Sequence, residues 1–172
     1  MHLPNVNIDD DNSLTLSNID TCLKEIETCS SGMTLAFWAK VSQNQPYPTP
    51  RFISSRSFSI FTSIKATGFM TRFPVQEGAS QRVKYSSNME LQFDQWHLVA
   101  ITYSAQSGLE VYLNGCLVEI TASAPNSVTV VTSNMIVGCN SQYSSCINGN
   151  FDDVRFWTSK KDKYFIWNLW SM

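Results

Sequence analysis

Few residues of this 172-residue chain have the type and spacing to do chemistry. Asp152 and Asp153, adjacent in "FDDVRFW", come nearest to the paired carboxylates that cleave a glycosidic bond. Their segment reads as a strand, where neighbouring side chains point to opposite faces, so the two are not expected to converge on one bond. Of the two histidines, His2 and His97, only His97 is a realistic base. Beside Trp96 in an apolar run it reads as a packed, hydrogen-bonded side chain and not as part of a triad. The chain is therefore expected to be non-catalytic. For calcium, the run "DDDN" (Asp9 to Asn12) offers oxygen ligands, Asp9 and Asp11 foremost, but lacks the Gly and the terminal Glu of an EF-hand loop. A solvated acidic lead-in is the competing reading.

The five cysteines carry a pattern. Cys22 and Cys29 lie seven apart, as do Cys139 and Cys146, and two short loops of equal span suit disulfides Cys22–Cys29 and Cys139–Cys146 in an oxidising compartment. Buried thiols in a cytosolic chain are the alternative. Cys116 is left over as a free thiol, and the hairpin register below puts it on the core side, with exposure and intermolecular pairing as the other option. No asparagine begins an Asn-x-Ser/Thr sequon, which is unexpected for an extracellular domain.

The elements that must position these residues are nearly all strands. Short runs rich in Val, Ile, Phe, Thr and Tyr recur between polar turns: "SLTLSN", "GMTLAFWAKV", "RFISSR", "FSIFTSIKA", "GFMTRFPVQ", "QRVKYS", "WHLVAITYS", "LEVYL", "CLVEIT", "SVTVV", "MIVG" and "DDVRFW". So many strands must stack as two sheets or close into a barrel. In "LEVYLNGCLVEIT", Asn114 and Gly115 suit a type I′ turn, whose two central residues both need positive φ. That turn sets Leu113 against Cys116, Val111 against Val118 and Leu109 against Ile120 on the core side, with Glu110 beside Glu119 on a wetter face. Trp96 to Tyr103 is apolar at both parities, which reads as a central strand covered on both faces, scaffold and not site. At the end of the chain, Phe165, Ile166, Leu169 and Trp170 form one stripe of a short helix packed on the sandwich, with "KKDK" as its solvated lead-in.

Length and composition bound the rest. The chain suits one domain, 1–172, with its core over about 13–170. Twelve basic against fourteen acidic residues give no global pull toward nucleic acid, and no apolar run reaches the roughly 20 residues of a membrane helix.

In order, "GMTLAFWAKV", "QWHLVAITYSAQSGLEVYLNGCLV", "MIVGC" and "GNFDDVRFWTSKKDKYFIWNLW" resemble the successive signature blocks of the laminin G-like and pentraxin-like branch of the concanavalin A-like jelly rolls. The likeness runs from about Ser13 to Trp170. It implies an all-β fold of two antiparallel sheets stacked face to face, with a short C-terminal helix. It implies a module excised from a longer extracellular protein, secreted or the ectodomain of a membrane protein, that recognises a protein or glycan. Calcium often accompanies such domains, and Asp153, inside a signature block, becomes a candidate ligand; capping a turn or pairing with Arg155 is the plainer role. A calcium-dependent lectin and a structural matrix component are the alternative functions.

Two stretches stand out as ligand-binding candidates. The loop Asn44 to Arg51 presents Tyr47 and Arg51 on a proline-rich frame that loses little entropy on binding, or else it is a stiff connector. Between Arg51 and Lys84 the chain holds six basic residues against Glu77, whereas residues 1–30 hold six acids against Lys24. Arg82 and Lys84 share one parity of their strand. Together with Arg72 on a neighbouring strand they are expected to form an outward patch suited to heparan-type polysaccharide. Pairing with the acidic N-terminal segment is the alternative.

Overall fold

The computed structural model describes residues 2–3, 6–8, 14–16, 29–54, 59–65, 68–77, 81–86, 90–121, 135–139 and 146–172. Among these residues, two antiparallel sheets account for every strand. The first runs in the order β1 (His2–Leu3), β14 (Gly149–Trp157), β4 (Met33–Val41), β10 (Trp96–Ser104), β11 (Gly108–Leu113), β12 (Cys116–Thr121), with β2 (Val6–Ile8) also paired to β14. The second runs β3 (Leu14–Leu16), β13 (Met135–Val137), β5 (Arg51–Ser54), β6 (Ser59–Ile64), β7 (Gly68–Glu77), β8 (Gln81–Ser86), with β9 (Leu91–Gln92) also on β7. The expected strand "SVTVV" lies outside the described residues. The short strands β1, β2 and β9 were not anticipated, because two or three residues carry no readable alternation.

Parity along each strand decides the layers. Met33, Leu35, Phe37, Ala39 and Val41 of β4 join Val99, Ile101 and Tyr103 of β10 and Leu109, Val111 and Leu113 of β11 in one cluster with Phe52, Ile53 and Ile60 of the second sheet. Phe52 ties the sheets together, its ring centroid 5.5 Å from that of Phe37 and 5.9 Å from that of Phe151. The opposite parity of the first sheet is also covered. Ala36, Leu98, Ala100 and Tyr112 form a second cluster with Ile166, and Phe165, Leu169 and Trp170 pack beside it. All four expected stripe residues belong to the helix α1 (Lys163–Ser171), whose first turn is capped by Asp162 accepting from the Phe165 amide.

The lead-in to α1, expected to be solvated, is instead anchored to the sheet. Lys160 Nζ donates to Glu110 Oε1 and to Ser107 Oγ, while Glu110 Oε2 accepts from Tyr112 OH and Thr102 Oγ1. Thr34 Oγ1 donates to the Ser159 carbonyl and accepts from the Lys161 amide. Burial works against the Glu110 charge, but the bonds from Lys160, Tyr112 and Thr102 outweigh it and hold the carboxyl below its ordinary range. Burial, with the Glu110 charge beside it, pushes the Tyr112 phenol up.

The hairpin departs from its expected register after the turn. Asn114 and Gly115 have φ of 50° and 77°, as a type I′ turn requires. Leu113 pairs with Cys116 and Tyr112 with Leu117, but a bulge then sets Val111 against Glu119 and Glu110 against Ile120. The extra residue separates Glu110 from Glu119, removing an unfavourable like-charge pair. It also turns Ile120 outward, at 55% exposure. Cys116 is a free thiol as expected but exposed, not buried. Core-side parity does not bury it because β12 ends the strand order of its sheet. Cys139 and Cys146 are disulfide-bonded. Cys29 is disulfide-bonded as well, and its expected partner Cys22 lies outside the described residues. His97 is packed and satisfied: Nε2 bonds the Gln92 carbonyl at 3.0 Å and Nδ1 bonds Asn114 Nδ2 at 3.1 Å.

Two predictions follow from this packing. Ile166 is fully buried between α1 and the sheet, so Ile166→Ala is expected to cost about 2–4 kcal/mol, measured by urea unfolding. Because the folded Glu110 carboxyl is held low, its contribution is complete above the ordinary carboxylate range and is lost as pH falls through the lowered value. Stability curves of wild type and Glu110→Gln are therefore expected to differ near neutral pH and to converge in acid. A difference that does not change with pH would contradict the ion pair as its source.

Candidate functional site

The helix covers only part of the outer face of the first sheet. Beside its C-terminal end lies an open groove of about 540 Å³, lined by Trp38, Trp96, Asp152, Asp153, Arg155, Leu169 and Met172. Three neighbouring strands supply its floor. Trp38 lies opposite Asp152 across the β4–β14 pairing, and Lys40 lies opposite Trp96 across the β4–β10 pairing.

An irregularity in β14 brings the acids in. Asp152 pairs with Trp38, yet Arg155, and not Val154, pairs with Ala36, so β14 carries one extra residue. Asp153 takes it up with φ of 50°. A bulge re-aims side chains that strict alternation would send to opposite faces. The expectation that Asp152 and Asp153 face apart is thereby overturned: both line the groove, while Val154 keeps its place in the core.

The groove sets aromatic surface beside paired charges. Trp96, expected to be scaffold, is 36% exposed, and the Lys40 ammonium stands 5.6 Å from its ring centroid. Trp38 is held by stacking on Trp170, 5.4 Å between centroids at 24°. Asp152 Oδ1 accepts from the Asp153 amide, and Asp153 Oδ1 accepts from Arg155 Nε. Among the described residues, Asp152 Oδ2 and the two Nη groups of Arg155 have no hydrogen-bond partner within the protein. The site thus presents an acceptor and a forked donor next to a ring, in surroundings that are half-buried.

Of the residues nominated from the sequence as ligand-binding or metal-binding, only Asp153 lies here, beside Asp152, which was weighed for catalysis. The Asp153 carboxylate holds the Arg155 guanidinium, the pairing given above as its plainer role. Among the described residues no three His, Cys, Asp or Glu side chains gather into a metal site, and Asp9 and Asp11 lie outside those residues. Tyr47 is exposed on the β4–β5 loop, whose Gln45 side chain clamps Asn148 by bonding both its carbonyl and its amide. Arg51 opens β5. Neither lines the groove. Arg72 on β7 and Arg82 and Lys84 on β8 belong to the other sheet. Sequence reasoning did not weigh Trp38, took Trp96 as scaffold and named Arg155 only as a partner for Asp153. No signal in the linear sequence marks them, because Trp38 and Trp96 come to one face only through the β4–β10 register.

Comparison with protein families matches residues 9–162 to a laminin G model described as the concanavalin A-like lectin/glucanases superfamily. No curated protein sequence matches the chain. Among solved structures, a heptameric SAP-like pentraxin from Limulus polyphemus is similar over 82% of this chain and 70% of its own, with 16% identity and a TM-score of 0.61. The receptor binding domain of botulinum neurotoxin mosaic serotype C/D is similar over 98% of this chain, with 12% identity and a TM-score of 0.68. The binding domain of botulinum neurotoxin serotype G gives 97%, 12% and 0.63. The chain spans 42% of the length of each of these toxin domains. At such identities the likeness speaks to the fold alone.

Proposed function

The chain belongs to the concanavalin A-like lectin/glucanases superfamily, and from that premise we propose that it is a non-catalytic, extracellular recognition module that holds a neutral sugar residue of a glycan in the groove beside α1. The observation that carries this reading is the exposed Trp96 ring standing in one groove with Asp152, Asp153 and Arg155. The C–H face of a pyranose packs on an indole, its hydroxyls donate to a carboxylate, and they accept from a guanidinium. Hydrolysis fits less well. It needs one carboxyl free to give a proton and a second free to attack, whereas Asp153 Oδ1 holds Arg155 Nε and Asp152 Oδ1 takes the Asp153 amide. The Asp153–Arg155 pair argues for binding that does not depend on calcium at this groove.

A glycan array with the chain in calcium and then in chelator tests the reading. Selective binding that survives chelation is expected. Trp96→Ala is expected to weaken the best glycan about tenfold, and Asp152→Asn comparably, with unfolding curves unchanged. Silence across the array, or undiminished binding by Trp96→Ala, would sink it.

A second reading has its own support on the other sheet. Register sets Arg72 opposite Ser86, Pro74 opposite Lys84 and Gln76 opposite Arg82, so the three basic positions share one parity. Ile64, opposite Phe69, packs on the core, and Arg72 stands at the other parity. The ladder thus supports a strip for heparan-type polysaccharide at the sheet edge, since β8 ends its strand order. Arg82→Ala with Lys84→Ala is expected to elute earlier from a heparin column at low salt, and unchanged elution would remove this reading.

A further inference from the structure

Polar and apolar groups enter the groove at different places. On the outer face of the first sheet Arg155 stands opposite Ala36 and Asp152 opposite Trp38, so the guanidinium and the Asp152 carboxylate arrive at different levels along β14. Trp96 arrives from β10, on the far side of β4. Leu169 closes the side formed by α1, and the helix fixes its placement. Phe165 packs edge-on against Trp157 of β14, 5.2 Å between ring centroids at 87°, and Leu169 lies one helical turn further along the same side. Trp170, the next residue, stacks on Trp38. The Asp152 carboxylate thus has an indole as its cross-strand neighbour, and a leucine lines the same groove from the helix.

The two polar ends have fixed roles. Among the described residues Asp152 Oδ2 and the Arg155 Nη groups have no partner within the protein. An ionised carboxylate only accepts, and a guanidinium only donates. A hydroxyl can serve either end, but it leaves the Trp38 and Leu169 surfaces against water. A secondary amide serves all three. It is planar and trans, so its N–H and C=O point away from each other, and the carbon attached to its carbonyl lies on the N–H edge. An acetamido arm therefore offers a donor and a methyl group along one edge and an acceptor on the other, matching Asp152 flanked by Trp38 at one level and Arg155 at the next. Being neutral, it is indifferent to the balance of Lys40, Arg155, Asp152 and Asp153 around the groove. A ring stacked on Trp96 meets β14 across the width of β4, with the outer strands roughly 10 Å apart, and such an arm spans more of that width than a hydroxyl does.

We propose that the groove selects an N-acetylated sugar. The pyranose ring packs on Trp96, the acetamido N–H donates to Asp152 Oδ2, its carbonyl accepts from Arg155 Nη, and its methyl group rests against Trp38 and Leu169. Asp153 acts through Arg155: by holding Nε it orients the fork toward the arm. The proposal rests on the glycan reading above and narrows it from a neutral sugar to an acetamido sugar.

The full chain is titrated with matched oligosaccharides of glucose, galactose and mannose type that differ only in carrying a hydroxyl, a free amine or an acetamido group at C2. Binding is read by tryptophan fluorescence and by saturation-transfer NMR. In at least one series the acetamido form is expected to bind about tenfold tighter than the hydroxyl form, with its acetyl methyl taking up more saturation than the ring protons. Leu169→Ala is expected to lower that preference about threefold, and Leu169→Met to retain it. Arg155→Lys, which keeps a cation for Asp153 but loses the fork, is expected to lower it as well, with unfolding curves recorded for each variant. Equal or tighter binding of the hydroxyl or amine form overturns the acetamido assignment and leaves the glycan reading standing. So does an acetyl methyl saturated no more than the ring protons, or a preference that Leu169→Ala and Arg155→Lys both leave unchanged. Silence in every series removes the glycan reading and this one with it.

Discussion

Burial of the first sheet on both faces is the constraint from which the rest of the molecule follows. Strands β4 and β10 are apolar at both parities, and a sheet stacked on one partner can satisfy only one of them. One parity packs against the second sheet through Phe37, Phe52 and Phe151. The other needs a second layer, and α1 supplies it by setting Ile166 over Ala36, Leu98, Ala100 and Tyr112. A nine-residue helix has little stability of its own, so its existence depends on that contact and on the anchors before it. Glu110, Lys160 and Thr34 hold the lead-in to the sheet, and Asp162 caps the first turn.

The same arrangement generates the surfaces that remain. A short helix cannot cover a wide sheet face, so the outer face is left open on either side of it. Toward β14 the uncovered part is concave and holds Trp38 and Trp96 with the carboxylates and guanidinium of β14. Toward β12 it is a ridge of Leu117, Ile120, Tyr164 and Trp167. Two β-bulges in the first sheet decide what each surface carries. In β14 the extra residue turns Asp153 toward the groove while Val154 stays in the core. In β12 the shift parts Glu110 from Glu119 and turns Ile120 outward. Each bulge leaves the layers intact and changes which side chains meet solvent, which is how a rigid sandwich acquires particular surfaces.

Much of the fold is legible in the linear order of residues. Alternation with period two marks the long strands, Asn114–Gly115 marks the turn because both residues accept positive φ, and the change to a helical stripe at Phe165, Ile166, Leu169 and Trp170 marks α1. The two-layer architecture follows from having many short strands and both-parity apolar runs, and the pairing of Cys139 with Cys146 follows from a short local spacing. These features are local: each depends on residues a few positions apart, where the period of the backbone relates sequence to direction.

The groove was not legible, and the reason is physical. Trp38, Trp96 and Asp152 come from strands far apart in the chain that become neighbours only through the order β14, β4, β10. Strict alternation assigned Asp152 and Asp153 to opposite faces, and Ile120 and Cys116 to the core, because a bulge or a free sheet edge leaves no mark in the pattern of apolar and polar residues. Trp96 looked like core for the same reason: its parity gives the face it points to, but not whether the helix reaches far enough to cover it. The sequence by itself determined the layers, the hairpin turn and the helix, since these follow from backbone periodicity. Only the tertiary structure decided which part of the sheet stayed open and which charges met there, since register shifts and helix length act across strands that the chain separates.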